Sequence, residues 1–341
     1  MNSIEYWKKR ENIKLKKGLK DIKKLDRELR KEYLKASEEI QSKITTLFIK
    51  YTKDNNLTYY EASKYLTSKE FKSWRMSLKA YIKEIEKTAD TELLLELNSL
   101  AMKSRISRLE EMLYQINLEI DTATLMQHSK VTELLESTYR ENYYKTIFDI
   151  QQFKRIGSSF AFIDKNIIEN VLSYPWSGLN YSSRIWNNRK KLKETIKKEL
   201  TQMIIQGKGN REVAKRIAEK MDVSYKNAIR LVDTEHAYIM GQATQKGYEE
   251  TGLEQYQFLA TLDIKTSKLC KQLDMKVFRV GEEKIGVNYP PMHPNCRSTT
   301  IPYYDDIDFS EESRTARNSK GKFYEVSSNM NYDEWYKKYI D

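Results

Sequence analysis

Both cysteines of this chain, Cys270 and Cys296, and one of its three histidines, His293, fall within 27 positions. Pro290, Pro291 and Pro294 surround His293 and fix the backbone φ there, so His293 and Cys296 sit on a rigid, non-helical turn. A His-x-x-Cys pair with a second cysteine from a preceding loop makes a three-ligand set of imidazole and thiolates, the donors that suit zinc; Asp263 or Asp274 supplies a fourth oxygen. Such an ion would staple a unit too small to hold itself together. Two other readings stand beside it. In one, no cofactor is bound: His293 and Cys296 pack and hydrogen-bond inside a stiff loop, with Cys270 a small core hydrophobe. In the other, they form a Cys/His catalytic pair. No Cys-x-x-Cys is present, and a Cys270–Cys296 disulfide is disfavoured in a reducing cytosol.

The elements that must hold these residues are legible around them. Residues 256–262 alternate like a strand and 276–280 form a second β-like run, which makes 253–304 a small α+β unit. Upstream the texture is helical. Gly18 is the only glycine before residue 157, and no proline precedes Pro175. So long a stretch without breakers predicts long helices. Leu15, Ile22, Leu29 and Ala36, with Leu19, Tyr33, Ile40 and Leu47, make a coiled-coil-like seam; Met102, Ile106, Leu109, Leu113, Ile116 and Ile120 repeat the step. Thr58 and Glu61 read as a capping box. Asn210 caps a short helix through Met221, and Ser224 caps the next, to about Gly247. Beyond Asp305 the chain reads as an acidic, disordered linker, with Asn331 capping a last helix that bears Trp335.

The fold class is therefore α+β, predominantly α. A long helical arm or bundle (1–156) leads through a junction (157–183) to a smaller α+β domain (184–304), then a linker and short helix (305–341).

Of 341 residues, 39% are hydrophobic and 32% charged, with a formal net charge of +11. Mean hydropathy is −0.75. The 39 aromatic residues are enough to build a core, which excludes full disorder. No run approaches the roughly 18–20 uncharged apolar residues of a membrane span, and the N-terminal residues lack the apolar core of a signal peptide. Two cysteines exclude a disulfide-scaffolded secreted domain. Positive charge concentrates between Arg184 and Lys220, with 12 basic and 4 acidic residues. Arg184, Arg189, Lys190, Lys191, Lys193, Lys197 and Lys198 are its heart. The spacing is too generic for a helix-turn-helix; sequence-independent contact with double-stranded DNA phosphates is the expectation. Lysines interleaved with Tyr59, Tyr60, Tyr65, Phe71, Trp74 and Tyr81 suit base stacking, although at helical spacing such aromatics more often form core. His128, His236 and His293 lie in three separate segments, and neither a Ser/His/Asp order nor a Gly-rich phosphate loop is present.

Four stretches together carry a resemblance: Thr234-Glu235-His236-Ala237 with Gly252; Asp263-x-x-Thr266 with Cys270, Val277 and Phe278; Pro290-Pro291-x-His293-Pro294-x-Cys296-Arg297; and Pro302. They resemble the minor head, or head-morphogenesis, family of tailed bacteriophages that includes the F protein of phage Mu. The Tyr6-Trp7-x-Lys9-Arg10 opening is similar to that of many such proteins. The likeness covers roughly residues 185–305, with Glu235, Pro291 and Arg297 as motif positions. Many members carry cysteine where Ser267 and Ser298 stand, and arginine where Asp233 stands. The resemblance implies a non-enzymatic minor capsid protein of the procapsid. It implies binding to the portal protein, proximity to scaffold or major capsid protein, contact with packaged DNA and a place inside the capsid near the portal vertex. Two competing classes are a toxin-like nuclease or transferase built on the Cys/His cluster, since some relatives are fused to such modules, and a general nucleic-acid-binding protein. Glu235, on a predicted helix, is either a structural carboxylate or a general base.

Overall fold

The computed structural model describes residues 3–54, 100–155, 157, 159–205, 210–304, 313–318, 323–327 and 330–339. It is predominantly helical with two small antiparallel sheets, the α+β class expected from the sequence. Helices α1 (Ser3–Asp54), α2 (Leu100–Lys154), α3 (Lys165–Ser173), α4 (Tyr181–Ile205) and α5 (Asn210–Glu250) come first. After them come β1 (Gln255–Leu259), α6 (Lys268–Leu273), β2 (Val277–Arg279) and β3 (Thr299–Tyr303). Strands β4 (Ser313–Arg317) and β5 (Phe323–Ser327) and helix α7 (Tyr332–Tyr339) follow. The Thr58–Glu61 box and the aromatics from Tyr59 to Tyr81 lie outside the described residues. So do the side chains of Leu47, Met102, Ile106 and Leu109.

Contacts divide the chain into two units built from alternating segments: residues 1–27, 129–184 and 228–341 form one, and residues 28–128 and 185–227 form the other. The first unit carries both sheets. Its three-stranded sheet has the order β2-β1-β3, all antiparallel, with Tyr256 opposite Phe278 on one side and Pro302 on the other. Trp7, Ile150, Tyr248, Tyr256, Tyr289 and Ile301 make the central core beneath it. Thus the aromatic opening of α1 is core to the same body as the strands. Within this unit α1 runs antiparallel to α2: the Tyr6 hydroxyl donates to the Asp149 carbonyl (2.7 Å), and Lys14 donates to Thr146 (3.0 Å).

Three helical glycines mark where backbones meet. A Cβ on Gly18 would lie 2.6 Å from His236 Cε1, one on Gly247 2.7 Å from Thr146 Cγ2, and one on Gly241 3.0 Å from the Pro290 carbonyl oxygen. The single glycine of the first 156 residues is therefore the point where α1 closes on α5.

The second unit is all helix among its described residues. Leu29, Tyr33 and Ile40 of α1 and Ile116 and Ile120 of α2 are buried there, as the heptad spacing predicts. The Tyr33 hydroxyl donates to Gln127 (2.8 Å), and Glu199 of α4 pairs with Arg216 (3.1 Å) and Lys220 (2.9 Å) of α5.

Three expectations change. Leu19 is 57% exposed, because the buried stripe of α1 in the first unit runs instead through Trp7, Glu11, Lys14 and Gly18. Asn210 to Gly247 is not two helices but part of one, α5; Ser224 is helix-tolerant, and no proline or glycine interrupts the segment before Gly241. Finally, part of the expected linker is ordered. Strands β4 and β5 pair from Ser313–Ser327 to Arg317–Phe323, and the Arg317 amide donates to the Leu262 carbonyl (2.9 Å). Leu262, Ala316, Val326, Tyr332 and Trp335 form a core of their own. Helix α7 opens on Asn331, whose side chain accepts from the Glu334 amide (3.0 Å) while Glu334 accepts from the Asn331 amide (2.9 Å).

Candidate functional site

His293-Pro294-Asn295-Cys296 is a β-turn. The Cys296 amide donates to the His293 carbonyl (3.1 Å), Pro294 occupies the second position and Asn295 the third at φ +60°. Proline fixes the first central φ, and asparagine tolerates the left-handed second. Upstream, the Pro290–Pro291 peptide is cis, and the Tyr289 hydroxyl anchors to the Gly241 carbonyl of α5 (2.8 Å). The turn faces α6, which is capped by Ser267 and carries Cys270 one turn in. The result is a cluster: Cys270 Sγ lies 3.5 Å from His293 Nε2 and 3.9 Å from Cys296 Sγ. Both cysteines are free and buried among Phe258, Ala260, Leu273 and Met292. Either sulfur can donate in the Cys270–Cys296 contact, which holds the Cys296 thiol down and, with burial, pushes the Cys270 thiol up.

The two aspartates expected beside this cluster are committed elsewhere. Asp263 accepts from Arg297 through both guanidinium Nη groups, and also from the Lys265 amide (2.9 Å) and the Thr266 hydroxyl (3.1 Å). Burial pushes its carboxyl up, but these donors, led by Arg297, hold it below the ordinary carboxylate value. As a metal ligand Asp263 is thus a correction: its oxygens serve Arg297. Asp274 accepts two bonds from Arg314 (both 2.9 Å) and one from the Ala260 amide (2.9 Å) in a buried fork. Arg314 Nη2 also donates to the Ala260 carbonyl (2.7 Å). Sequence reading missed Arg314 because it lies in a polar stretch; its one signal is alternation with Ala316.

Thr234, Glu235 and His236 are consecutive on α5, about 100° apart around the helix, so each serves a different neighbour. The Thr234 hydroxyl accepts from the Asn295 amide (3.3 Å), tying α5 to the His293–Cys296 turn. Glu235, 3% exposed, accepts from Trp176 Nε1 (3.0 Å) and lies 3.7 Å from Arg184 Nε. Burial raises its pKa against the pull of Trp176 and Arg184. Trp176, which sequence reading did not single out, stacks on Tyr238 at 4.9 Å. His236 packs against Gly18, and burial lowers its pKa to about 4, so it is neutral. These are the partners of a brace; Glu235 faces an indole and a guanidinium.

The basic residues of α4 sort into two sets. Arg184 is occupied: its Nη2 donates to the Ser177 carbonyl (2.7 Å) and hydroxyl (2.6 Å) as well as facing Glu235. Arg189 and Lys193 converge on Asp121 of α2. Lys190, Lys191, Lys197 and Lys198 are exposed. Spaced by one and seven residues, they form two rungs about 10 Å apart along one face, with Glu194 between them.

What this geometry defines is a helical brace locking a proline-stiffened His/Cys turn to a small antiparallel sheet. Residues 194–301 match the family described as "Phage Mu protein F like protein". The chain is 23% identical over 331 residues to the minor head protein GP7 of Bacillus phage SPP1, an alignment covering 93% of each chain. It is 30% identical over 249 residues to a protein of Enterococcus faecalis named NAD(+)–arginine ADP-ribosyltransferase EFV. That alignment takes in 67% of this chain, which spans only half the length of that relative. No solved structure matches. Over residues 194–301 the chain carries the phage Mu F-like domain that the four motif stretches indicate.

Proposed function

We propose that this chain is a minor head protein of a tailed phage, acting in head morphogenesis as a structural component rather than an enzyme. The observation that carries the reading is the alignment with the SPP1 minor head protein, which extends over 93% of both chains and so includes the helical segments as well as the motif domain. In this reading the chain joins the procapsid by binding portal protein through its helical surfaces, beside scaffold or major capsid protein, and rests inside the capsid near the portal vertex. The exposed lysines of α4 then lie against packaged double-stranded DNA without reading its sequence. Among the described residues no helix is long and apolar enough to cross a membrane.

The test is co-purification. Procapsids assembled with this chain should yield it bound to portal protein, and particles assembled without it should be defective. Mature particles and procapsids that both lack the chain would refute the proposal.

The named activity of the E. faecalis relative supports a second reading, transfer of ADP-ribose to arginine. Half of that protein's length has no counterpart in this alignment. Incubation of the purified chain with NAD and an arginine acceptor should leave the NAD intact; turnover would favour the enzyme.

A further inference from the structure

We propose that Cys270, His293 and Cys296 bind one zinc ion through Cys270 Sγ, His293 Nε2 and Cys296 Sγ, with water in the fourth position. The three ligand atoms lie within 4.8 Å of one another. A tetrahedral zinc with bonds of about 2.3 Å to sulfur and about 2.0–2.1 Å to nitrogen sets two sulfurs about 3.8 Å apart and a sulfur and nitrogen about 3.6 Å apart. The separations here are 3.9 and 3.5 Å. Both separations around Cys270 therefore match those of a tetrahedral ion.

The imidazole is turned for the task. His293 Nδ1 lies 2.9 Å from the Pro294 carbonyl oxygen, which can only accept, so Nδ1 carries the proton. That fixes the tautomer and leaves the Nε2 lone pair directed at the sulfurs, the arrangement in which an outer carbonyl orients a ligating histidine. On coordination both thiol protons pass to solvent; two thiolates, a neutral imidazole and Zn²⁺ then form a site of zero net charge, suited to apolar surroundings. Asp263 and Asp274 remain with their arginines, which leaves the fourth position to solvent. The Ser267 hydroxyl oxygen accepts from the Cys270 amide (3.3 Å), which fixes Cys270 at the head of α6. The ion would join α6, which follows β1, to the turn that precedes β3, stapling the two connections of the sheet.

The test uses the full chain, purified without an affinity tag that binds metal and under reducing conditions. Elemental analysis should give one zinc per chain. After exchange to Co²⁺ the chain should show the visible bands of a tetrahedral ion and a near-ultraviolet sulfur-to-cobalt transition. Cys270→Ser and Cys296→Ser should each lower that transition by about half, and His293→Ala should weaken retention at least tenfold. Because a variant can fail to fold, the cobalt spectrum of the unaltered chain stands as an independent measurement. A chain that takes up neither zinc nor cobalt, a cobalt spectrum without the sulfur transition, or metal retained undiminished by all three variants would overturn the assignment.

Discussion

His236 is the residue whose environment has the clearest measurable consequence. Unfolded, its imidazole titrates near 6.5; burial against α1 brings it to about 4. The cleft of about 430 Å³ that it lines also presents Lys14, Lys17, Arg140 and Lys145, against Asp21 and Glu141, so an imidazolium would add to an excess of positive charge. A depressed histidine contributes stability that is complete above the unfolded value and is lost as pH falls through the folded one. Between pH 6.5 and about 4 the fold should weaken, with this residue contributing up to about 1.4 kcal/mol per pH unit. Chemical denaturation of the native chain and of His236→Gln across that range should give a flatter curve for the variant; parallel curves would show that His236 is not the group responsible. At this scale the sequence discloses ligand types better than partners. Cys270, His293 and Cys296 stand out because proline spacing and residue type are local facts. The roles of Asp263 and Asp274 depend on Arg297 and Arg314, the second 40 positions from its partner, and no local pattern carries that distance.

Among the elements, long helices follow from the lack of breakers, and the two β-like runs become β1 and β2. The buried stripe of α1 was only half legible. Where it passes through Leu29, Tyr33 and Ile40 the heptad shows; where it passes through Glu11 and Lys14 it does not, because those side chains are buried as a 2.8 Å ion pair. Hydrophobic periodicity cannot register a polar residue whose partner makes it fit for the interior. Gly18 was visible as an isolated glycine, and its meaning appears in the packing. Gly18→Ala should lower stability by about 1–3 kcal/mol, since the methyl group must displace His236 or part α1 from α5. Gly178→Ala, with open space around it, reports only the strain of a left-handed φ of +91°. Equal stability of Gly18→Ala and the native chain in urea would disprove the close approach. The β4–β5 hairpin was illegible because β4 is polar apart from Ala316, and Phe323, Tyr324 and Val326 of β5 make too short a run to stand out in a stretch otherwise typical of linkers.

For the molecule as a whole, the net charge of +11 is less informative than which cations have partners. Arg184, Arg189 and Lys193 are drawn into intramolecular pairs, whereas Lys190, Lys191, Lys197 and Lys198 face solvent. If the proposed contact with packaged DNA uses this face, changing the four lysines to glutamate should weaken binding to any duplex alike. Each phosphate contact removed should flatten the slope of log affinity against log salt by about 0.9. Titration of duplexes of unrelated sequence at several salt concentrations measures this. Unchanged affinity and slope would move the contact to another surface.

The interleaving of the first unit has a bearing on biosynthesis. Trp7 and Trp335 are structural members of one body, so its closure waits until residue 335 has left the ribosome. Until then the aromatic face of α1 has no sheet to cover it, and the nascent chain carries an unsatisfied apolar surface for the length of its own translation. A chaperone is the natural guardian of that interval.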